Sequence, residues 1–189
     1  MFPAYIVHPQ NCQFEGQDPD EKILLFLRAH PITNLPWIIL ALLLSIAPLF
    51  IPLVFNLFNL SLSSIPGPFE MIFLIINYML VMVIIFEGFL YWYFNVYIVT
   101  DKNVIDVDFH SILFKNIDIA PLRNVEDVSS SMGGILHAVF HYGHVYIQTA
   151  GTARNIDFAS VPKPHQVADF ILDEAHKIHG KGANANHPN

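Results

Sequence analysis

Charge is scarce in this chain, and the shortage is confined to one region. Asp, Glu, Lys and Arg make up 13% of the 189 residues, against ~25% in an ordinary soluble protein. Residues 31–69 contain no charged side chain, and residues 29–100 contain only Glu70 and Glu87. The sequence is therefore that of a polar protein interrupted by one apolar block, which argues against an ordinary soluble domain throughout.

Cysteine and excess basic charge are also lacking. Cys12 is the single cysteine, so an intrachain disulfide is excluded. The net charge is −7, and no part of the chain is basic, which argues against nucleic acid as a partner and against a polybasic contact with anionic lipid. Residues 1–5 contain no basic side chain and lead into no apolar run, so we predict no cleaved signal peptide.

Two apolar segments predict membrane-spanning helices. Residues 35–58 carry no charge, and residues 71–94 carry one. Either segment, as a helix, would be roughly 36 Å long at ~1.5 Å per residue, enough to cross a ~30 Å hydrocarbon core. Residues 59–68 are rich in Ser, Pro and Gly, so residues 35–94 are predicted to form a helical hairpin in the lipid bilayer. The alternative is a pair of buried helices in a soluble protein.

Basic residues near the span ends indicate the orientation of the hairpin. Lys22 and Arg28 precede the first span, whereas Lys102 and Lys115 follow the second and the linking loop has no basic residue. Since basic residues favour the cytoplasmic side, both termini of this multi-pass protein of the inner (plasma) membrane are predicted to be cytoplasmic. An interfacial aromatic belt is predicted at the end of the second span, formed by Tyr91, Trp92, Tyr93 and Tyr97.

Glu87 is the one charge inside the predicted spans. A carboxylate at membrane depth costs several kcal/mol unless it is paired or protonated, so Glu87 is a candidate for a proton or ion path. The alternatives are a hydrogen bond to the other helix or to an oligomer partner, or a position at the wet interface. Pro48 and Pro52 interrupt the first span. We interpret them as a tolerated kink, with a broken transporter-type helix as the alternative.

Residues 95–179 have the pattern of a small β domain. Apolar and polar residues alternate in short runs between turns, which predicts strands at residues 96–99, 104–109, 112–119, 125–130, 144–149 and 155–159. Residues 135–140 are either a further strand or a helical turn. A helix is predicted from Pro164 to a stop at Gly180, and residues 180–189 are predicted to be a disordered tail. About seven strands and a closing helix predict an antiparallel barrel capped by a C-terminal helix.

The N-terminal cytoplasmic segment, residues 1–34, contains a short run that is apolar on both faces. Residues 23–28 are predicted to form a strand that adds to the sheet of the domain and buries both its faces. An interfacial helix leading into the first span is the alternative. Either arrangement ties the N-terminal segment to the β domain.

Four short motifs follow one another in a family-specific order. They are Arg-x-His-Pro at residues 28–31, a strand–turn–strand at 97–105, IAPLRNVEDV at 119–128 and YGHVYI at 142–147. In this order they resemble the bacterial pleckstrin-homology (PH) domain membrane proteins with two spans. The resemblance implies a PH-like split barrel with a C-terminal helix after the hairpin, and no established ligand. The turn at residues 102–103 is Lys-Asn where the family often has a basic pair.

The chain contains ten histidines, and three of them are candidate metal ligands. His137, His141 and His144 are spaced so that three imidazoles would share one face of a helix and could ligate a divalent metal. The Tyr142-Gly143 pair is expected to end such a helix before His144. On a strand, His137 and His141 would lie ~13 Å apart. We therefore predict no metal and no cofactor.

The sequence contains no phosphate-binding glycine loop, zinc-protease motif or nucleophile motif, so we predict a protein that is not an enzyme. Lys102 alone in the first strand–strand loop argues against a phosphoinositide site. The sequence predicts a membrane-anchored interaction or scaffold module at the cytoplasmic face, which binds a peptide or membrane-protein partner or self-assembles as a homo-oligomer. The alternative is a subunit of a transport or envelope-stress system with Glu87 in an oligomeric membrane core.

Overall fold

The chain folds into two units, one of which is assembled from two separate stretches. The computed structural model describes residues 4–9, 12–14, 16–59, 66–111, 114–151 and 155–185. Residues 34–90 form one unit, here called the helical unit, and residues 1–33 and 91–189 form the other, here called the β unit. The elements, in chain order, are β1 (Tyr5–Val7), β2 (Ile23–Arg28), a 3-10 turn (Pro31–Asn34), α1 (Leu35–Leu57), α2 (Gly67–Phe94), β3 (Val96–Thr100), β4 (Asn103–Ser111), β5 (Phe114–Pro121), a 3-10 turn (Leu122–Asn124), β6 (Val125–Ser131), α3 (Ile135–Phe140), β7 (Tyr142–Thr149), β8 (Ile156–Pro162) and α4 (Pro164–Ala185).

The helical unit consists of two long apolar helices. Both α1 and α2 are long and apolar enough to cross a membrane by length and composition, and only 6% of the most apolar window of each is buried. Pro48 and Pro52 lie inside α1, which continues through them. The indole of Trp37 packs on Gly88 so closely that a Cβ at Gly88 would stand 2.6 Å from the ring. The helices therefore meet at a position that only glycine allows.

The bounds of the helices differ slightly from the sequence-based prediction. α2 begins at Gly67, before the predicted residue 71, because Pro68 is compatible with the first turn of a helix, where its missing N–H has no intrahelical partner anyway. Residues 60–65 of the predicted loop lie outside the described residues.

The β unit contains two antiparallel sheets. One has five strands in the order β1-β2-β3-β4-β5, and the other has three in the order β6-β7-β8. The main core lies between the sheets and α4, and its fully buried side chains include Leu25, Leu122, Ile147, Phe158 and Ile171. A second, smaller cluster covers the outer face of the five-stranded sheet, where Ile23, Ile98 and Ile105 pack with Phe14 and Phe26.

Residues 23–28 form the predicted strand and not the interfacial helix. Leu25 and Leu27 enter the main core, whereas Ile23 enters the outer cluster. β2 pairs with β3, and Arg28 lies opposite Val96. The strand that precedes the apolar helices therefore pairs with the strand that follows them.

The predicted fold class is confirmed: two long apolar helices, a mostly β unit and a C-terminal helix. Six of the eight described strands, β3–β8, lie in residues 95–179, where about seven were predicted. β2 was predicted separately, and β1 was not predicted, because its three residues are too short for an alternating pattern. Residues 135–140 form a helix, α3, so the helical alternative for this segment is correct.

Two further predictions are wrong. α4 continues past Gly180 to Ala185, because a glycine inside a helix costs only ~1 kcal/mol relative to alanine and residues 183 and 185 are alanines. Residues 186–189 of the predicted tail lie outside the described residues. Tyr97 does not belong to an interfacial aromatic belt, since it is 2% exposed in the core of the β unit.

Candidate functional site

The turn between β3 and β4 contains a single basic residue, Lys102. Its ammonium group pairs with the carboxylate of Asp18, with Nζ 3.0 Å from Oδ2. This hydrogen bond raises the pKa of Lys102 above its ordinary value. The carboxylate of Asp18, in the N-terminal segment, thus balances the positive charge of Lys102. Lys102 alone does not form the cluster of basic side chains that would hold a phosphorylated headgroup.

The N-terminal segment is fastened to this turn by Glu21, a buried carboxylate. The Thr100 hydroxyl donates a hydrogen bond to Glu21 Oε1, and the Asn103 amide donates a second one to the same oxygen at 2.9 Å. The backbone N–H of Asp101 donates to the Lys22 carbonyl at 3.0 Å, and the Lys22 N–H donates to the Asp101 carboxylate at 3.0 Å. Side-chain and backbone bonds together hold the segment against the end of the sheet.

The outer face of the five-stranded sheet carries an apolar groove of about 470 Å³. Its walls are largely aromatic and aliphatic, with Phe14, Phe26, Phe94, Val96, Ile98 and Val107 among them. Arg28 lies at the groove with its guanidinium carbon 4.6 Å from the ring centroid of Tyr93 and 5.4 Å from that of Phe26. The groove therefore combines apolar walls with one cation held over aromatic rings.

β5 extends this apolar face to an edge of the sheet. Ile117 lies opposite Val107 and Ile119 lies opposite Ile105 in the β4–β5 register. Ile105 is 1% exposed, but Ile117 and Ile119 are 45% and 57% exposed. Within the described part of the chain β5 has β4 as its only strand neighbour. Two exposed isoleucines thus stand beside a strand edge with unpaired backbone groups.

Asp106 on β4 is the most perturbed acid of the β unit. It is buried, and its Oδ1 has no hydrogen-bond partner among the described residues. Burial, the largest cause, together with the nearby charges of Asp108, Asp118 and Asp157, raises the pKa of Asp106 to about 7. The carboxyl group is therefore partly protonated near neutral pH.

A family model decides what kind of domain carries these features. The model for the bacterial PH domain matches residues 31–175. The chain belongs to the bacterial PH-domain family. The matched region includes both apolar helices, and it confirms the resemblance that the four sequence motifs predicted. The β unit is accordingly called the PH domain below.

One solved structure is similar to part of the chain. It is the crystal structure of a protein with a pleckstrin-homology domain from Shewanella loihica PV-4, which is 9% identical with a TM-score of 0.35. The match covers 43% of this chain and 70% of that chain. No curated protein matches the chain.

The three candidate histidines of the PH domain do not converge. His141 ends α3 in a left-handed conformation with φ of 53°, and β7 begins at the next residue. The rings of His137 and His144 are 6.4 Å apart, and His144 Nδ1 lies 3.9 Å from the carboxylate of Asp157. Among the residues that the structure describes, no three His, Cys, Asp or Glu side chains are grouped as metal ligands.

Glu87 lies on α2 with an exposed side chain. In the described part of the chain no hydrogen bond or ion pair to it is found, so the alternative in which Glu87 bonds to α1 has no contact to support it. The oligomer partner, the wet interface and the proton path stay predictions for Glu87.

Sequence reasoning missed three features of the site. The Glu21 network joins residues that are far apart in the chain, and no local pattern reports such a pairing. The apolar groove forms because the N-terminal segment packs on the outer face of the sheet. α3 carries large apolar side chains that are almost all exposed, although its sequence has the composition of a core segment.

Proposed function

We propose that this protein is a non-enzymatic PH-domain module, anchored in the inner membrane by α1 and α2, that binds a protein partner at the cytoplasmic face. The exposure of the two apolar helices supports the anchor. A core helix of a soluble protein would be mostly buried, whereas only 6% of each apolar window is buried. Leaving so many large apolar side chains in water would be very unfavourable, and a lipid environment removes that cost.

The apolar outer face of the five-stranded sheet is the observation that carries the binding role. The groove beside Phe26 and the exposed pair Ile117 and Ile119 form one continuous apolar surface that ends at the edge of β5. An extended peptide segment of a partner protein fits such a surface, because the edge supplies main-chain hydrogen bonds and the groove accepts apolar side chains. A phosphoinositide is a poorer match, because Lys102 is the single basic residue of the β3–β4 turn and has the acidic side chains of Asp18 and Asp101 beside it.

Photocrosslinking in living cells tests the binding role. A photoreactive phenylalanine analogue at Ile119 should give one dominant protein adduct by mass spectrometry. The same analogue at Gln166, which is exposed on α4, is the control and should not give that adduct. Ile117→Asp should abolish the Ile119 adduct. An adduct with a second copy would make the partner this chain itself, and recovery of lipid alone would contradict the proposal.

Reporter fusions test the orientation of the anchor. A reporter joined after Asn189 should be active in the cytoplasm, and a reporter inserted between α1 and α2 should be active only outside it. Activity of the C-terminal reporter outside the cytoplasm would contradict the cytoplasmic placement of the PH domain.

The exposed carboxylate of Glu87 supports a second candidate function, in which the chain is a subunit of a transport or envelope-stress system with Glu87 in an oligomeric membrane core. A charge on an apolar helix is costly in lipid and is retained where it is used. Glu87→Gln separates the two functions. It should leave the crosslink at Ile119 intact if the module only binds a partner, and it should abolish transport or the stress response in the alternative.

A further inference from the structure

α3 presents its apolar side chains to the outside of the PH domain. Ile135 is 82% exposed, and none of the six residues of α3 is buried. A short helix in a folded domain normally buries one apolar face. The exposed group, here called the apolar tip, consists of Met132, Ile135, Leu136, Val139 and Phe140. A contiguous apolar surface of this kind marks an interaction site and not an ordinary protein surface.

Ring contacts place the apolar tip beside the point where the chain leaves the PH domain. The ring of His137 on α3 stacks on Tyr142 with centroids 4.2 Å apart, and Tyr142 stacks with His30 at 5.4 Å. The backbone N–H of His30 donates to the Ser160 carbonyl at 2.7 Å, which fixes His30 on the domain. Pro31, the next residue, is the first residue of the apolar span that contains α1. Two successive ring contacts therefore connect α3 to His30, the residue that directly precedes a candidate membrane span.

The sequence around the apolar tip has the charge pattern that a bilayer surface requires. Residues 128–153 contain no Asp, Glu, Lys or Arg, although the chain as a whole carries a net charge of −7. Acidic residues near this surface would be repelled by anionic lipid, and any ion would lose hydration on entering it. The polar side chains within the segment are mainly His, Ser and Tyr, which tolerate the headgroup region.

We propose that the apolar tip inserts into the bilayer interface, so that the PH domain contacts the membrane at α3 in addition to its covalent connections to α1 and α2. The inference rests on the proposed membrane anchor. The candidate span Pro31–Leu57 follows His30 directly in the chain, and α3 contacts His30 through Tyr142, so lipid at the start of that span is the apolar medium nearest to α3 along the chain. The molecule that covers the apolar tip is thus the lipid at the interface.

Depth-dependent fluorescence quenching tests the insertion in the full chain. The variant Cys12→Ser/Leu136→Cys, labelled with an environment-sensitive dye and placed in lipid nanodiscs, should show blue-shifted emission that doxyl-labelled lipid reduces at least twofold. Gln148→Cys in the same background is the matched control, because residue 148 is exposed on β7, and its emission should be unaffected by the doxyl lipid. Val83→Cys reports on α2, where residue 83 is 58% exposed.

The three labelled sites distinguish failure of this inference from failure of the anchor. Quenching at residue 83 without quenching at 136 overturns insertion of the apolar tip and leaves the anchor intact. Absence of quenching at both sites contradicts the anchor as well. A blue shift at residue 136 that doxyl lipid does not affect would mean that protein covers the tip, and this also overturns the inference.

A charge substitution provides the second test. Ile135→Asp combined with Val139→Asp should abolish the quenching at residue 136, since two carboxylates would keep α3 in water. Both side chains are exposed, so the unfolding midpoint of the PH domain should not change. Retained quenching in this folded variant would contradict insertion.

Discussion

The Tyr97 hydroxyl forms two hydrogen bonds with the backbone of Ala159. It donates to the carbonyl at 3.2 Å and accepts from the N–H at 3.1 Å. Tyr97 lies on β3 and Ala159 on β8, so one side chain joins the two sheets, and its ring also stacks on Phe158 with centroids 4.6 Å apart. Burial raises the pKa of Tyr97 above its ordinary value, which keeps the phenol neutral and able to donate.

Tyr97→Phe should lower the free energy of unfolding of the PH domain. The ring stays in place, but the partly buried N–H and carbonyl of Ala159 lose their shared partner, at a cost of about 1–3 kcal/mol. Chemical denaturation of the full chain in detergent measures the change. Tyr146→Phe is the control, because Tyr146 is 42% exposed on β7, and an equal loss in the two variants would contradict the bridging role.

Asp106 should make the PH domain less stable as the pH rises from about 4 to about 7. Its pKa in the folded protein is raised to about 7, so over this range the folded state holds a proton that the unfolded state has released. The stabilisation from that proton is complete below the unfolded pKa and is lost as the pH passes the folded pKa, with a slope of at most about 1.4 kcal/mol per pH unit.

Asp106→Asn should remove this slope. The variant should exceed the wild type in unfolding midpoint at pH 8, and the difference should be smallest near pH 4. Asp108 and Asp118, on β4 and β5, and Asp157 with His144 beside it are the charged or titratable groups that surround Asp106. Asp127→Asn, at an exposed position of β6, should keep the wild-type slope. An unchanged pH profile in Asp106→Asn would assign the effect to another group.

Glu21→Ala should release the N-terminal segment from the sheet. The Thr100 hydroxyl and the Asn103 amide lose a common carboxylate acceptor, and hydrogen bonds to a charged group contribute about 1.5–3 kcal/mol. Hydrogen–deuterium exchange should increase for residues 16–22. Asp20→Ala serves as the control because Asp20 is exposed. Unchanged exchange in Glu21→Ala would mean that the backbone bonds alone hold the segment.

Gly143→Ala should weaken the packing between β6 and β7 and lower the stability of the PH domain. A Cβ at Gly143 would collide with the Ser131 carbonyl oxygen and stand 2.9 Å from Met132 Cγ. Overpacking of this kind costs about 1–3 kcal/mol, and a lower thermal midpoint should reveal it. Gly133→Ala is the matched variant, because no atom lies within 4 Å of the Cβ position there. Equal stability of the two variants would contradict the close contact.

The periodicity of the sequence predicted most strands and both apolar helices, but it did not predict which residues are buried. On β4 the alternation of apolar and acidic residues indicates a strand with one face in water. In the structure Val104 enters the main core and Ile105 the outer cluster. The outer face is covered because Phe14 of the N-terminal segment packs there. Asp106 lies on the other face, the face of Val104, opposite Tyr97, and is buried on the side of the main core. The burial of these β4 residues results from contacts between segments far apart in the sequence, and a local sequence pattern does not contain such contacts.

The histidines illustrate a second limit of sequence reasoning. Their spacing would allow three metal ligands on one helix. Whether the three imidazoles share a face depends on where that helix ends. His141 adopts a left-handed conformation with φ of 53°, which directs His144 into β7 and away from α3. The Tyr142-Gly143 pair correctly predicted this break. The exposure of α3 could not be predicted, because an apolar helix in a sequence has the same composition whether protein or lipid covers it.

The pairing of Arg28 with Val96 has a consequence for biosynthesis. β2 leaves the ribosome before α1 and α2, and its partner β3 leaves after them, so the five-stranded sheet cannot close until both apolar helices have been synthesised. During that interval the strand Ile23–Arg28 can pair only with the short β1, and the core residues that cover Leu25 and Leu27 in the folded domain have not yet been synthesised. For the membrane anchor proposed above, insertion of the helices would begin before the sheet that encloses them in sequence can close. A mutation that delays insertion should therefore leave β2 exposed to chaperones and proteases, even though it alters no residue of the sheet.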